Sequence, residues 1–114
     1  MKRKKGLYLT IDDAPSESFG QKIELLSRRG VPATFFCTGR NLESRRDIAV
    51  EAVRSGFLIG NHSYSHDRFS TLPFEAIREE ILKTDALIEE IYSDADIARP
   101  LKLFRFPFGD KGYY

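Results

Sequence analysis

The feature that most restricts this chain is a rhythm of short apolar runs, each too short for a helix, separated by stretches whose apolar residues recur at helical spacing. Leu7-Tyr8-Leu9-Thr10-Ile11 stops abruptly at Asp12-Asp13-Ala14-Pro15, the pattern of a buried strand giving way to a loop. Ser18-Phe19-Gly20-Gln21 then has capping-box spacing, Phe19, Ile23 and Leu26 share a helical face, and Arg28-Arg29-Gly30 has the charge and glycine of a helix end. Pro32-Ala33-Thr34-Phe35-Phe36-Cys37 is a second predicted strand, ending at Gly39. Ser44-Arg45-Arg46-Asp47 opens a second capped helix, with Ile48, Ala49, Ala52 and Val53 on one side until Gly56. Phe57-Leu58-Ile59 is the third strand. Pro73 suits the first turn of a long helix striped by Phe74, Ile77, Ile81, Ile88 and Ile91, and Leu101 to Phe106 reads as a fourth strand.

Strand and helix in alternation with short connections imply an α/β fold of parallel βα units with right-handed crossovers. A barrel and an open doubly wound sheet both satisfy the pattern. In either, chemistry gathers at the carboxyl ends of the strands, where Asp12, Asp13, His62, His66 and Arg105 all fall. Beyond Pro107-Phe108-Gly109-Asp110 the 114 residues provide no helix to cover the fourth strand, and too few strands to close a barrel of ~8. The expectation is a single domain over residues 1–114, about four βα units, truncated at the C-terminus. Such a half barrel has uncovered edges that invite self-association.

Composition places function in a local site. Lys and Arg number 18 against 17 Asp and Glu, so no global field argues for nucleic acid or an anionic membrane as partner. The single cysteine, Cys37, cannot form an internal disulfide and reads as a small buried hydrophobe. Met1 to Lys5 is a basic start, but the apolar run behind it is too short for a signal peptide and no segment approaches transmembrane length. The chain as given reads as cytoplasmic.

Both histidines of the chain lie in Ile59-Gly60-Asn61-His62-Ser63-Tyr64-Ser65-His66. At i and i+4 on a turn of helix they could aim two ring nitrogens at one ion, and a carboxylate from Asp12 or Asp13 would complete a face. Two adjacent acids can divide the work, one coordinating while the other takes a proton from water. Taken singly, each element has a plainer explanation: turn chemistry for the acids, surface or capping imidazoles, an ion pair for Arg105, and core packing for Phe35, Phe36, Tyr64, Phe104 and Phe106. Their coincidence at one rim favours a site.

Leu9-Thr10-Ile11-Asp12-Asp13-Ala14-Pro15, Ala33-Thr34-Phe35-Phe36, Gly60-Asn61-His62-Ser63-Tyr64-Ser65-His66 and Arg105-Phe106-Pro107-Phe108-Gly109 resemble, in order, the motifs of the polysaccharide deacetylase family, carbohydrate esterases that remove N-acetyl groups from chitin-like sugars and peptidoglycan. The resemblance implies a distorted (β/α) barrel, of which this chain carries the first half. It implies one divalent ion, zinc foremost with cobalt, nickel, manganese and iron also possible, held by Asp13, His62 and His66. Asp12 would be the general base, Arg105 would orient it, the Phe108 N–H would help hold the oxyanion, and Pro107 and Phe108 would line the groove. The implied substrate is an N-acetylated carbohydrate, and the family is often exported. Ile11, Ala14 and Phe108 stand where the family commonly has phenylalanine, glycine and tyrosine; a positive φ at position 14 would strain alanine. The family's general-acid histidine has no counterpart, because the chain contains only two histidines.

Three functions compete at this point. One is a metal-dependent N-deacetylase. Another is a catalytically incomplete relative that keeps a metal or carbohydrate site. The third, more distant, is a receiver-like phosphoacceptor domain, in which paired acids hold magnesium; there the third strand should end in an aspartate, whereas here it leads into Asn61-His62.

Overall fold

A computed structural model describes residues 9–111 of the chain. Strand β1 (Leu9–Ala14), helix α1 (Phe19–Arg29), strand β2 (Ala33–Cys37), helices α2 (Gly39–Ser44) and α3 (Arg46–Arg54), strand β3 (Leu58–Asn61) and helix α4 (Phe74–Ala95) follow one another, with 3-10 turns at Phe69–Thr71 and Pro107–Gly109. The three strands are parallel and ordered β1-β2-β3. Each new strand adds on the same side of the last, an order shared by a barrel wall and by one half of a doubly wound sheet. That order removes the basis for a receiver-like reading.

Strand alternation gives the sheet two chemically different faces. Ile11, Phe35 and Ile59 align across one row, and Asp12, Phe36 and Gly60 across the next. The first row meets the helices. Phe35 stands edge-on to Phe19 at 4.7 Å and to Phe57 at 5.5 Å, and Leu42, Ala49, Ala52, Val53, Ile88 and Ile91 complete the same core. Central β2 is buried along its whole length, which accounts for a run that is apolar except at Thr34. α3 packs on α4, joined at the surface by Arg46 to Glu90 and Asp94 at 2.7 and 2.9 Å.

Several expectations are corrected. β1 continues through both acids to Ala14, with a bulge at Asp13: Asp12 pairs with Phe36 and Ala14 with Cys37, leaving Asp13 as the extra residue. Leu7 and Tyr8 lie outside the described residues. Ser18 precedes α1 but makes no side-chain cap, because its φ/ψ of −89/10 lies outside the extended region that a capping hydroxyl needs. Gly30 ends α1 in the left-handed conformation, as its sequence suggested. Ser44 does not open α3. It is the last residue of α2, an unforeseen helix, and its hydroxyl donates back to Arg40 O at 3.1 Å. Pro73 stands just before the first residue of α4.

The predicted fourth strand reduces to one parallel bridge, Phe104 beside Asn61, with Asn61 N donating to Leu103 O at 2.8 Å and Arg105 N to Asn61 O at 2.9 Å. Its charged residues are held elsewhere. Lys102 reaches Asp85 of α4 at 3.5 Å and Arg105 reaches Asp12 of β1 at 2.8 Å, so the segment is anchored to both neighbours instead of running along β3. No helix among the described residues is long and apolar enough to cross a membrane.

Candidate functional site

The bulge separates the two adjacent acids. Asp13 takes φ 62, a conformation that aspartate tolerates better than most side chains, and its carbonyl accepts from the Asn41 side chain at 3.0 Å. The positive φ thus falls on Asp13 and not on Ala14, which is buried in the core. Asp12 remains on the β2 register and takes Arg105 Nη1 at 2.8 Å; the same nitrogen donates to Thr10 Oγ1 at 3.2 Å, and the guanidinium lies 4.3 Å from the Phe36 ring centroid. Arg105 is therefore fixed by an acid, a hydroxyl and an aromatic face together.

His62 and His66 follow β3 in a loop, not on the expected turn of helix, and Ser63 (φ 66) and His66 (φ 69) are both left-handed. The rings still converge, with centroids 4.8 Å apart. Asp13 Oδ1 lies 3.5 Å from His62 Nε2 and 3.1 Å from His66 Nε2, and the three ligand atoms fall within 4.8 Å of one another. Two ligands on a tetrahedral ion at ~2.0 to 2.1 Å stand ~3.3 Å apart, so both carboxylate-to-imidazole distances fit a shared ion. His62 Nδ1 donates to Arg105 O at 2.7 Å, which fixes the ring with Nε2 aimed at Asp13. The donor set of one carboxylate and two imidazoles suits a divalent transition ion.

Burial grades across this group. The His62 side chain is 3 % exposed, His66 29 % and Asp13 60 %, so access is from the Asp13 side. An open cleft of about 680 Å³ lies there, lined by Asp12, Asp13, His62, His66, Arg105 and Phe108 among others. Pro107 is buried beneath the rim. Phe108, left-handed at φ 59 and 56 % exposed, sets its ring 4.7 Å from His66 and 4.0 Å from the Arg68 guanidinium carbon. Asp12, Asp13, His62, His66, Arg105 and Phe108 thus border one cleft, whereas Pro107, expected to line it, is buried and does not.

Sequence reasoning missed the residues that hold this arrangement in place: Asn41 on the Asp13 carbonyl, Glu80 on Ser65, and Glu43 on Tyr64. Glu43 accepts the Tyr64 hydroxyl and thereby holds the phenol above its ordinary pKa, so Tyr64 acts as a donor. Burial pushes the Cys37 thiol far up, in keeping with an inert core residue.

Comparison with known proteins finds relatives of this chain by sequence and by fold. The chain is 34% identical over 103 residues to the peptidoglycan-N-acetylglucosamine deacetylase of Bacillus cereus, covering 90% of this chain and 36% of that protein. Among solved structures, a family 4 carbohydrate esterase from Streptomyces lividans in complex with acetate matches with TM-score 0.81 and 31% identity, over 93% of this chain and 53% of that one. A mutant of a family 4 pseudoenzyme matches with TM-score 0.76 and 31% identity, over 96% of this chain and 39% of that one. The chain therefore spans about half or less of the length of the proteins that it matches. The family profile described as polysaccharide deacetylase matches residues 1–113, and the chain belongs to the polysaccharide deacetylase family.

Proposed function

We propose that this chain is the metal-binding part of a metal-dependent hydrolase that removes N-acetyl groups from a polysaccharide or amino sugar, with residues 1–114 as one domain of a distorted (β/α) barrel. The observation that carries the reading is the division of labour between neighbouring acids: Asp13 faces both imidazoles, while Asp12 is held off them by Arg105. Asp13, His62 and His66 would hold one divalent ion, zinc foremost. When bound, the ion supplies Lewis-acid polarisation of the amide carbonyl and a lowered pKa for water.

The remaining roles belong to the chain's own groups. The Asp12 carboxylate accepts the proton of the attacking water, and Arg105, bound to Asp12 Oδ1, fixes the direction in which that carboxylate presents itself. The Phe108 N–H donates to the oxyanion that develops on the acetyl carbonyl. The exposed Phe108 ring forms one wall of the groove in which the sugar sits, while Pro107, expected to share that wall, lies buried behind it. No group of this chain is assigned the proton donor for the departing amine.

The test is acetate release from an N-acetylated chitooligosaccharide by the zinc-supplemented chain and its Asp12→Asn variant. Release by the parent that falls roughly 10²- to 10⁴-fold in the variant, with zinc uptake retained, is expected for a general base. Equal rates would remove Asp12 from the mechanism. A parent that binds zinc and sugar but releases no acetate would favour the second reading, a catalytically incomplete binding relative. That reading is motivated by the likeness to a pseudoenzyme.

We also propose that the chain self-associates through its open sheet. Among the described strands β1 pairs only with β2, and Leu9 and Leu101 are 37 % and 49 % exposed. Light scattering should give a mass that rises with concentration; a constant monomer mass contradicts this.

A further inference from the structure

The loop that carries both imidazoles is secured from outside itself. His62 N donates to Cys37 O at 3.0 Å, Gly39 N to Ser63 O at 2.9 Å and Arg40 N to Tyr64 O at 3.1 Å, which ties the loop to β2 and α2. Within it, Ser63 N donates to Asn61 Oδ1 at 2.9 Å and His66 N to Ser63 Oγ at 3.1 Å. The left-handed backbone of Ser63 and His66 is a conformation that side chains other than glycine keep only where the surroundings hold it.

The support on the remaining side comes from α4. A single carboxylate oxygen, Glu80 Oε1, accepts both Ser65 N at 2.9 Å and Ser65 Oγ at 2.8 Å. Ser65 immediately precedes His66. Glu80 is half-buried, fifteen residues away in sequence, and meets the loop from a helix on which four further acids, Asp85, Glu89, Glu90 and Asp94, are paired with arginine. Its oxygen serves the loop. A carboxylate accepting a backbone N–H and a hydroxyl together makes charge-assisted bonds stronger than neutral ones, and these fix the peptide that sets the direction of His66.

We infer that Glu80 is a positioning residue for the imidazole pair: through Ser65 it holds the turn that aims His66 Nε2 at Asp13 Oδ1, 3.1 Å away. It acts through the loop, being bonded to Ser65 and to neither histidine. The inference rests on the reading in which Asp13, His62 and His66 share a metal ion. Groups that orient ligands in this way typically change metal affinity 10- to 100-fold when removed.

The experiment is calorimetric titration of zinc into the metal-free chain, its Glu80→Ala variant and its Glu80→Gln variant, beside their urea midpoints. Glutamine keeps one oxygen able to accept both Ser65 donors. The expected result is zinc binding weakened about 10- to 100-fold in Glu80→Ala and largely restored in Glu80→Gln, with all three folded at the titration temperature. Unchanged affinity in Glu80→Ala overturns the inference. So does a loss common to both variants that follows a fall in their urea midpoints, since that is a general structural role. If the parent itself takes up no zinc, the metal reading fails, and hydrogen exchange of the Ser65 amide then decides for Glu80. Faster exchange in Glu80→Ala, slowed again in Glu80→Gln, sustains the positioning role; equal exchange in all three rejects it.

Discussion

Asp12 and Asp13 are neighbours that face different tasks because one extra residue in β1 breaks the alternation between them. Asp12 keeps the register of Phe36 and meets Arg105, while Asp13, at φ 62, turns to the imidazoles. The convergence of the pair, the histidines and Arg105 on one rim was legible in the sequence because each follows or ends a short apolar run. Asn41 and Glu80 were not: their partners are 28 and 15 residues distant, and a polar residue on a helix resembles any solvated one until the fold supplies its partner. Cys37 offers a prediction at this scale. Its thiol is buried in β2 and its pKa is pushed far up by desolvation, whereas an unfolded thiol ionises near pH ~8.5. Above that pH the unfolded chain binds fewer protons than the folded one, so stability falls as pH rises, by at most ~1.4 kcal/mol per pH unit from this group. Removing the thiol removes that slope. The stability advantage of the parent over Cys37→Ala, measured by urea unfolding, should shrink between about pH 8 and 10; a constant difference would contradict the buried neutral thiol.

Among the elements, α2 is the one that periodicity could not find and the site most depends on. It is six residues long, shorter than a reliable helical pattern, and it begins at Gly39, which read as the end of a strand. Thr38 caps it by accepting from Asn41 N at 3.4 Å. The glycine is required for space: a Cβ at position 39 would lie 2.5 Å from both Thr84 Oγ1 and Tyr64 Cδ1. Gly39→Ala therefore presses on the histidine loop and on α4 at once. Overpacking of this kind costs about 1–3 kcal/mol. The urea midpoint should fall by that equivalent with the slope unchanged, and zinc affinity should fall with it as Tyr64 is displaced. A variant with the parent's midpoint would mean that α2 is free to move away. The fourth apolar run meets β3 only at Asn61, through two backbone hydrogen bonds, while Lys102 and Arg105 at its two ends reach acids on α4 and β1.

For the molecule as a whole, the sequence conveyed βα alternation but not the direction in which strands accumulate. That direction is set by where each crossover returns, and the three described strands form a short parallel arc in the order β1-β2-β3. The arc presents Asp12, Phe36 and the Arg105 segment on one face and packs the helices on the other. With the strand ends at one rim, residues 13, 62 and 66 converge although the first lies 49 positions from the second. Anomalous X-ray scattering at the zinc edge, from crystals of the chain grown with zinc, tests this most directly. The account predicts one strong peak ~2.0 to 2.2 Å from Asp13, His62 Nε2 and His66 Nε2 together. Fully occupied zinc elsewhere, with these three residues unliganded, would contradict it.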